Sequence, residues 1–315
     1  MNPSPMSGPA AVPVPSTGPT PALTAPALTA TERHRRWRRV AVATAGAALA
    51  AARTPLSGPR ARRRLAVCTA ARLLTALGVR VEVHAGAVGW PRAGAGHGPG
   101  QLVVANRVGW LDDLALLTVV RGIPVTGAGA ARMPVAGPLC RGLGAVVQDG
   151  SHSLPATVVA VTGLLESGST VTVRPEVGSA ATGMGRFAPG LFQAAVTAGA
   201  PVCPVAVRYR SAGAGPDAQW AGAPTWRSLA RVVGARDLVV EVHLLPALHP
   251  GSAGGRELAA LAEYAVAAVV EAGRPTVVRP VVDLPPVARP GAVDRPTRRA
   301  RARRAVAARR PSRAG

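Results

Sequence analysis

The chain has 315 residues, of which 48% are apolar, and carries a formal charge of +22 at a pI near 11.9. That apolar content excludes a wholly disordered protein, and the length allows one large or two small domains. Aromatics are only 3%, so the core has to be built from small branched side chains in close-packed layers.

Every basic residue is arginine; there is no lysine. Together with the heavy use of Ala, Gly and Pro, this is a bias acting on the whole chain, and it weakens the step from net charge to a nucleic-acid partner. What survives is clustering: Arg33, Arg35, Arg36, Arg38 and Arg39, then Arg60 to Arg64, then a tail from Arg295 to Arg313.

Residues 1–32 form a Pro/Ala-rich segment expected to be disordered. It has neither a basic start nor a long apolar stretch, so no signal peptide is expected. Residues 33–61 join a basic run to the apolar stretch Val40–Ala51. That stretch is too short and too rich in alanine to span a bilayer, which takes about 20 strongly apolar residues. Two readings stand side by side: an interfacial helix with Trp37 at the boundary, or a helix packed on the domain.

From 62 to 282 short β-branched runs alternate with helical stretches, the mark of an α/β domain with a mixed sheet flanked by helices. A helix is expected over Arg62–Leu77, where Leu65, Cys68, Ala71 and Leu74 share a face and Gly78 stops it. Strands are expected at Val79–His84, Gln101–Ala105, Ile123–Thr126, Gly144–Gln148, Thr170–Arg174, Val202–Arg208 and Leu238–Leu244. Helices are expected at Trp110–Val120, from an N-cap at Ser153 to Ser167, and at Phe187–Ala198. Residues 283–315 are Pro- and Arg-rich without apolar periodicity and are expected to be disordered. Cys68, Cys140 and Cys203 are scattered and odd in number, which predicts buried reduced thiols, no structural metal and a reducing compartment.

The stretch Leu102-Val-Val-Ala-Asn-Arg-Val-Gly-Trp-Leu-Asp112 resembles the first motif of the glycerolipid acyltransferases, Asn-His-x-Ser-x-x-Asp at the end of a strand. Met133-Pro-Val-Ala-Gly-Pro-Leu is similar to the Pro-x-x-Gly segment of that family, and Gly144-Ala-Val-Val-Gln-Asp to its Gly-x-x-x-x-Asp strand. Arg174-Pro-Glu-Val-Gly-Ser179 sits where the family has Phe-Pro-Glu-Gly-Thr, and Pro201-Val-Cys-Pro-Val-Ala-Val-Arg-Tyr209 resembles its last motif. Trp220 and Trp226-Arg-Ser-Leu-Ala-Arg231 extend the likeness, which runs from about 62 to 250 in the family's order.

The resemblance implies transfer of a fatty acyl group from acyl-CoA or acyl carrier protein to the hydroxyl of lysophosphatidate or a related lysophospholipid, with no cofactor and no metal. It also implies work at an anionic membrane, on the cytoplasmic face, by a peripheral or weakly anchored protein, with no specific nucleic acid. The family's base is a histidine oriented by an aspartate five residues on. Here the aspartate is Asp112 and the histidine is Arg107. Using a guanidinium as base near neutrality costs roughly 7–9 kcal/mol, whereas general-base catalysis contributes only about 3–5 kcal/mol. Arg107 is therefore not a competent base. Its expected role is an ion pair with Asp112 or a clamp on a lipid anion.

By the same resemblance Glu176 and Pro175 lie near the acceptor, and Arg132 or Arg174 is a candidate replacement for a phosphate-binding cation. The family's Lys and Glu before the proline are Gly127 and Gly129 here, and the basic residue after Asp149 is Gly150. His84, His97, His152 and His243 are each expected to be structural or superficial rather than a substitute base. Two readings of function remain: an acyltransferase using Asp112, Glu176 and an unidentified base, or a non-catalytic member of the family that binds lipid or a partner at the membrane. A third, DNA binding through the arginine tail, predicts salt-sensitive affinity lost on deleting 295–315.

Overall fold

The structure, a computed structural model, describes residues 28–53, 57–85, 90, 98–132, 136–150, 153–177, 184–211 and 226–272. The expected N-terminal low-complexity segment up to 27, the arginine tail, His97, His152, Met133 to Val135, Ser179 and Trp220 lie outside them.

Helix α1 (Ala30–Arg53) opens on a capping arrangement in which the Thr29 hydroxyl accepts from the Glu32 N–H while Glu32 accepts from the Thr29 N–H. Val40, Ala47, Ala50 and Ala51 are buried, and α1 packs on α2 (Pro59–Leu77). Of the two readings for this segment, packing on the domain is the one seen. α2 ends at Gly78, which is left-handed at φ +73°. Its N–H bonds Thr75 O while Val79 N–H bonds Leu74 O, closing the last turn and turning the chain into β1 (Arg80–Ala85).

Next come β2 (Gln101–Ala105), α3 (Leu111–Val119), β3 (Ile123–Gly127), the short α4 (Ala128–Ala131), α5 (Ala136–Leu143) and β4 (Val146–Gln148). Then α6 (Leu154–Glu166), β5 (Thr170–Val173), the hairpin of β6 (Glu176–Val177) and β7 (Arg186–Phe187), α7 (Phe192–Ala198) and β8 (Val202–Arg210) follow. The described fold closes with α8 (Trp226–Gly234), β9 (Val239–Leu244) and α9 (Gly255–Ala272).

Several expectations are corrected. β4 begins two residues late because Gly144, at φ +70°, caps α5 instead of entering the strand. Phe187 belongs to a strand, and the helix expected from it starts at Phe192 after a 3-10 turn at Pro189–Leu191, where proline cannot supply an interior N–H. Ser153 is the N-cap residue of α6 as expected, but its side chain makes no capping bond: its hydroxyl accepts from Asp149 N–H (2.8 Å) and donates to Gly150 O (3.1 Å), tying the β4–α6 connection together. α4, α5, α8 and α9 were not expected as helices, and of the three cysteines expected to be buried Cys203 is, Cys140 is half-buried and Cys68 is exposed on α2.

Seven strands form one sheet in the order β1-β9-β8-β2-β5-β3-β4. Every neighbouring pair is parallel except β8 with β9, so β1 and β9 run against the other five. Along β8 and β9 alternate residues face opposite layers. Val207, Tyr209, Val240 and Val242 pack with Leu74, Leu77, Leu111, Leu116 and Val233 on the side of α2, α3 and α8. Val202 and Ala206 pack with Val161, Leu165, Phe192, Leu258 and Val266 on the side of α6, α7 and α9. The expected mixed α/β architecture is the one observed.

Candidate active site

The site is built at the end of β2. Beyond Ala105 the strand stops pairing, and the Asn106 side chain takes over its hydrogen bonds. Asn106 Nδ2 donates to Val207 O (2.9 Å) and its Oδ1 accepts from Val207 N–H (2.7 Å), so a buried amide serves as one more rung beside β8. The following three N–H groups all find carboxylates. Arg107 N–H donates to Glu176 Oε1 (2.8 Å), and Val108 N–H and Gly109 N–H both donate to Asp112 Oδ2 (2.8 and 2.9 Å). The loop is therefore held by its backbone, independently of the side chain at 107.

Asp112, in the first turn of α3, is fully buried. Its other oxygen, Oδ1, accepts from the Tyr209 hydroxyl at 2.6 Å, and Arg174 Nη1 lies 4.0 Å from Oδ2. Burial raises its pKa to about 6, against the pull of Arg174, Tyr209 and the two loop N–H groups. Burial and the adjacent carboxylate push the Tyr209 phenol well above its ordinary range, so Tyr209 holds its proton and donates it to Asp112. Tyr209, part of the last motif, had not been singled out as a site residue.

The expected Arg107–Asp112 ion pair is not formed. Asp112 takes Arg174 instead, because Arg174, at the end of β5, projects into the same layer and also binds Asp113 (Nη2 to Oδ2, 2.7 Å). With only 15% of its side chain exposed, Arg174 is occupied by two carboxylates. Arg107 is exposed, and among the described residues its side chain makes no ion pair. Its charge lies near enough to Glu176 to stabilise that carboxylate.

Glu176 accepts from Arg107 N–H and, through Oε2, from Gly185 N–H (3.3 Å). Burial raises its pKa, and those two N–H groups and the Arg107 charge lower it in part. Pro175 is buried, and its carbonyl accepts from Ala188 N–H (2.8 Å), which anchors the hairpin carrying Glu176. Arg132 stands apart on the surface, 3.9 Å from Asp149 and 77% exposed. The structure thus brings Asp112, Glu176, Arg107 and Arg174 to one place and leaves Arg132 with Asp149.

The glycines at family positions differ in cause. A side chain built on Gly127 or Gly129 would meet nothing within 4 Å, so packing does not require glycine at either. Gly150 is left-handed at φ +71°, where any other residue is strained. Gly137, the glycine of the Pro-x-x-Gly segment, would drive a Cβ into the Ala131 carbonyl, so α4 and α5 can meet only over a hydrogen atom. Of the histidines considered as substitute bases, His84 and His243 lie on β1 and β9 and point to the sheet face opposite Tyr209.

Residues 91–208, which hold Asn106, Arg107, Asp112, Arg174 and Glu176, match the acyltransferase family model, and Tyr209 follows directly after them. Over that stretch the chain is similar to the acyltransferase family. The chain is 31% identical over 154 residues to the 1-acyl-sn-glycerol-3-phosphate acyltransferases of Neisseria gonorrhoeae and of Neisseria meningitidis serogroup B, covering 48% of the chain. The match spans 58% of the length of each of those relatives. The fold is that of the 1-acyl-sn-glycerophosphate (LPA) acyltransferase from Thermotoga maritima, with a TM-score of 0.58 and 20% identity, over 78% of this chain and 97% of the other.

Proposed function

We propose that this protein is a lipid-binding member of the glycerolipid acyltransferase family that takes a lysophospholipid of the lysophosphatidate type at an anionic membrane surface and does not transfer an acyl chain to it. The observation that carries the reading is the state of Asp112. Its oxygens are taken by Tyr209, two loop N–H groups and Arg174, so the carboxylate holds the loop rather than a base, and the residue at the base position is a guanidinium. Arg107, exposed at the mouth of the site, supplies the charge for a lipid phosphate, the role left open for it beside the ion pair. Arg174 has no such freedom, which withdraws it as phosphate ligand.

No described helix is long and apolar enough to cross a membrane. Contact is accordingly peripheral in this reading, from the cytoplasmic side, through the arginines of α1 and the exposed Val42, Leu49 and Trp226.

The second reading, an active acyltransferase drawing on acyl-CoA or acyl carrier protein, is favoured by the 31% identity to relatives named for that reaction. One experiment separates the two. Purified protein is given lysophosphatidate with acyl-CoA, and separately with acyl carrier protein, beside an Asp112→Ala control. We expect no turnover above the control; turnover that Asp112→Ala abolishes would establish the enzyme. In parallel, lysophosphatidate binding should weaken by about tenfold or more in Arg107→Ala, the loss of one charge-assisted contact. Adding Arg107→His, Gly127→Lys and Gly129→Glu together, where the open space at 127 and 129 accepts side chains, is the restoration most suited to produce turnover.

A further inference from the structure

On the sheet face away from Asp112, the parallel register of β1 and β9 sets His84 beside His243 and Glu82 beside Glu241. The antiparallel register of β8 and β9 sets Arg208 beside Glu241. The two imidazoles lie face to face, with centroids 4.4 Å apart and planes within 12°. Glu241 Oε1 accepts from Arg210 Nε at 2.8 Å, and Arg210 also reaches Glu82 at 3.0 Å. Glu241 Oε2 stands 3.7 Å from His243 Nε2, beyond hydrogen-bonding distance. His243 Nε2 is buried and has no hydrogen-bond partner. A buried ring nitrogen facing an oxygen it does not bond is an unfilled position.

We propose that His84, His243 and Glu241 form a site for a divalent transition ion of the zinc class. One ligand atom from each of the three lies within 4.8 Å of the other two. Ligand atoms on a tetrahedral zinc stand about 3.3 Å apart, as bond lengths of about 2.0–2.2 Å require. Closing the difference takes a movement of up to about 1.5 Å, which the exposed His84 ring is free to make. Two imidazoles and one carboxylate suit zinc, nickel or copper rather than calcium or magnesium, whose ligands are oxygen. Arg210 holds the oxygen that the ion does not use, orienting the carboxylate as outer partners of metal ligands do. The solvent side of His84 leaves a fourth position for water. The ion's effect is to clip the edge strand β1 to β9.

Arg208 opposes this. Its Nη1 lies 3.9 Å from Glu241 Oε2, the oxygen the ion takes, and its side chain is 24% exposed. Binding therefore requires Arg208 to turn outward, and removing its charge must tighten the site. This separates a built site from adsorption on surface histidines. The ligands were invisible to a search for local spacings, since His84 and His243 are far apart in sequence and no cysteine takes part.

The test is calorimetric titration of tag-free full-length protein with zinc chloride, with cobalt(II) absorption as a second probe. Wild type should bind one zinc per chain and melt at a higher temperature when saturated. His84→Ala, an exposed position with little risk to folding, should weaken binding at least tenfold and abolish the rise in melting temperature; Arg208→Gln should tighten binding; His249→Ala should change neither. Equal affinity in wild type and His84→Ala, weaker binding in Arg208→Gln, or a thiolate charge-transfer band with cobalt would each overturn the site. Circular dichroism of each variant distinguishes lost ligation from lost fold.

Discussion

Asp112 carries a cost that pH exposes. Its folded pKa of about 6 stands above the ordinary value of 3.8, so the folded state binds the proton more tightly than the unfolded chain does. The stabilisation linked to that proton is fully present below about pH 4 and is lost as pH rises through 6, an amount of about 3 kcal/mol for two pKa units. Asp112→Asn removes the titration while keeping an acceptor for the loop N–H groups. Urea unfolding at pH 4.5 and pH 7 should show wild type gaining stability relative to Asp112→Asn on acidification; parallel curves would refute the shift. The motif spacing pointed to Asp112 and to the substitution at 107 in the sequence itself. The partner of Asp112 was not legible there, because Tyr209 and Arg174 reach it through strand order, and the pairing of β2 with both β5 and β8 is not written in any local pattern.

At the scale of elements the two helical glycines near the site should answer oppositely to one substitution. Gly129→Ala, inside α4 with nothing within 4 Å, should stabilise by up to about 1 kcal/mol through helix propensity. Gly137→Ala gains the same propensity but forces a methyl into the Ala131 carbonyl, and should destabilise by about 1–3 kcal/mol. Thermal melting of the two variants checks both signs. Strands with β-branched runs were readable to within two residues. α9 was missed because its buried residues, Leu258, Ala259, Ala262, Val266 and Val270, include alanines that a bias-rich composition makes unremarkable. Ser153 was placed correctly at the start of α6, but its hydroxyl partner was not legible, because a serine before Pro155 satisfies the helix-start pattern equally well when its hydroxyl binds backwards to the preceding loop.

Across the whole molecule the arginine excess divides into bound and free charge. Arg36, in the middle of the basic run of α1, lies across Gly78 and donates to Val233 O and Ala235 O at the end of α8, so it joins three elements rather than facing a membrane. Beside it Trp37 stacks on Trp226 at 4.7 Å, although Trp226 is 70% exposed. If the membrane reading holds, sedimentation with phosphatidylserine vesicles should fall steeply as salt rises from low to physiological concentration. Trp226→Ala should weaken binding without changing that salt slope, since it removes apolar contact and no charge. A slope reduced by Trp226→Ala would contradict this division of labour.

The pairing of β1 with β9 also orders events in time. β1 leaves the ribosome early, yet its neighbour among the described strands, β9, begins at Val239, about 150 residues later. At roughly 5–20 residues per second the wait is about 8–30 s. A nascent strand with an open edge for that long invites pairing with other chains, and the alternation Arg80, Glu82, His84 sets a polar or charged group at every second position of its six residues. The polar face proposed as a metal ligand set in the finished protein is the same one that would discourage such pairing during synthesis.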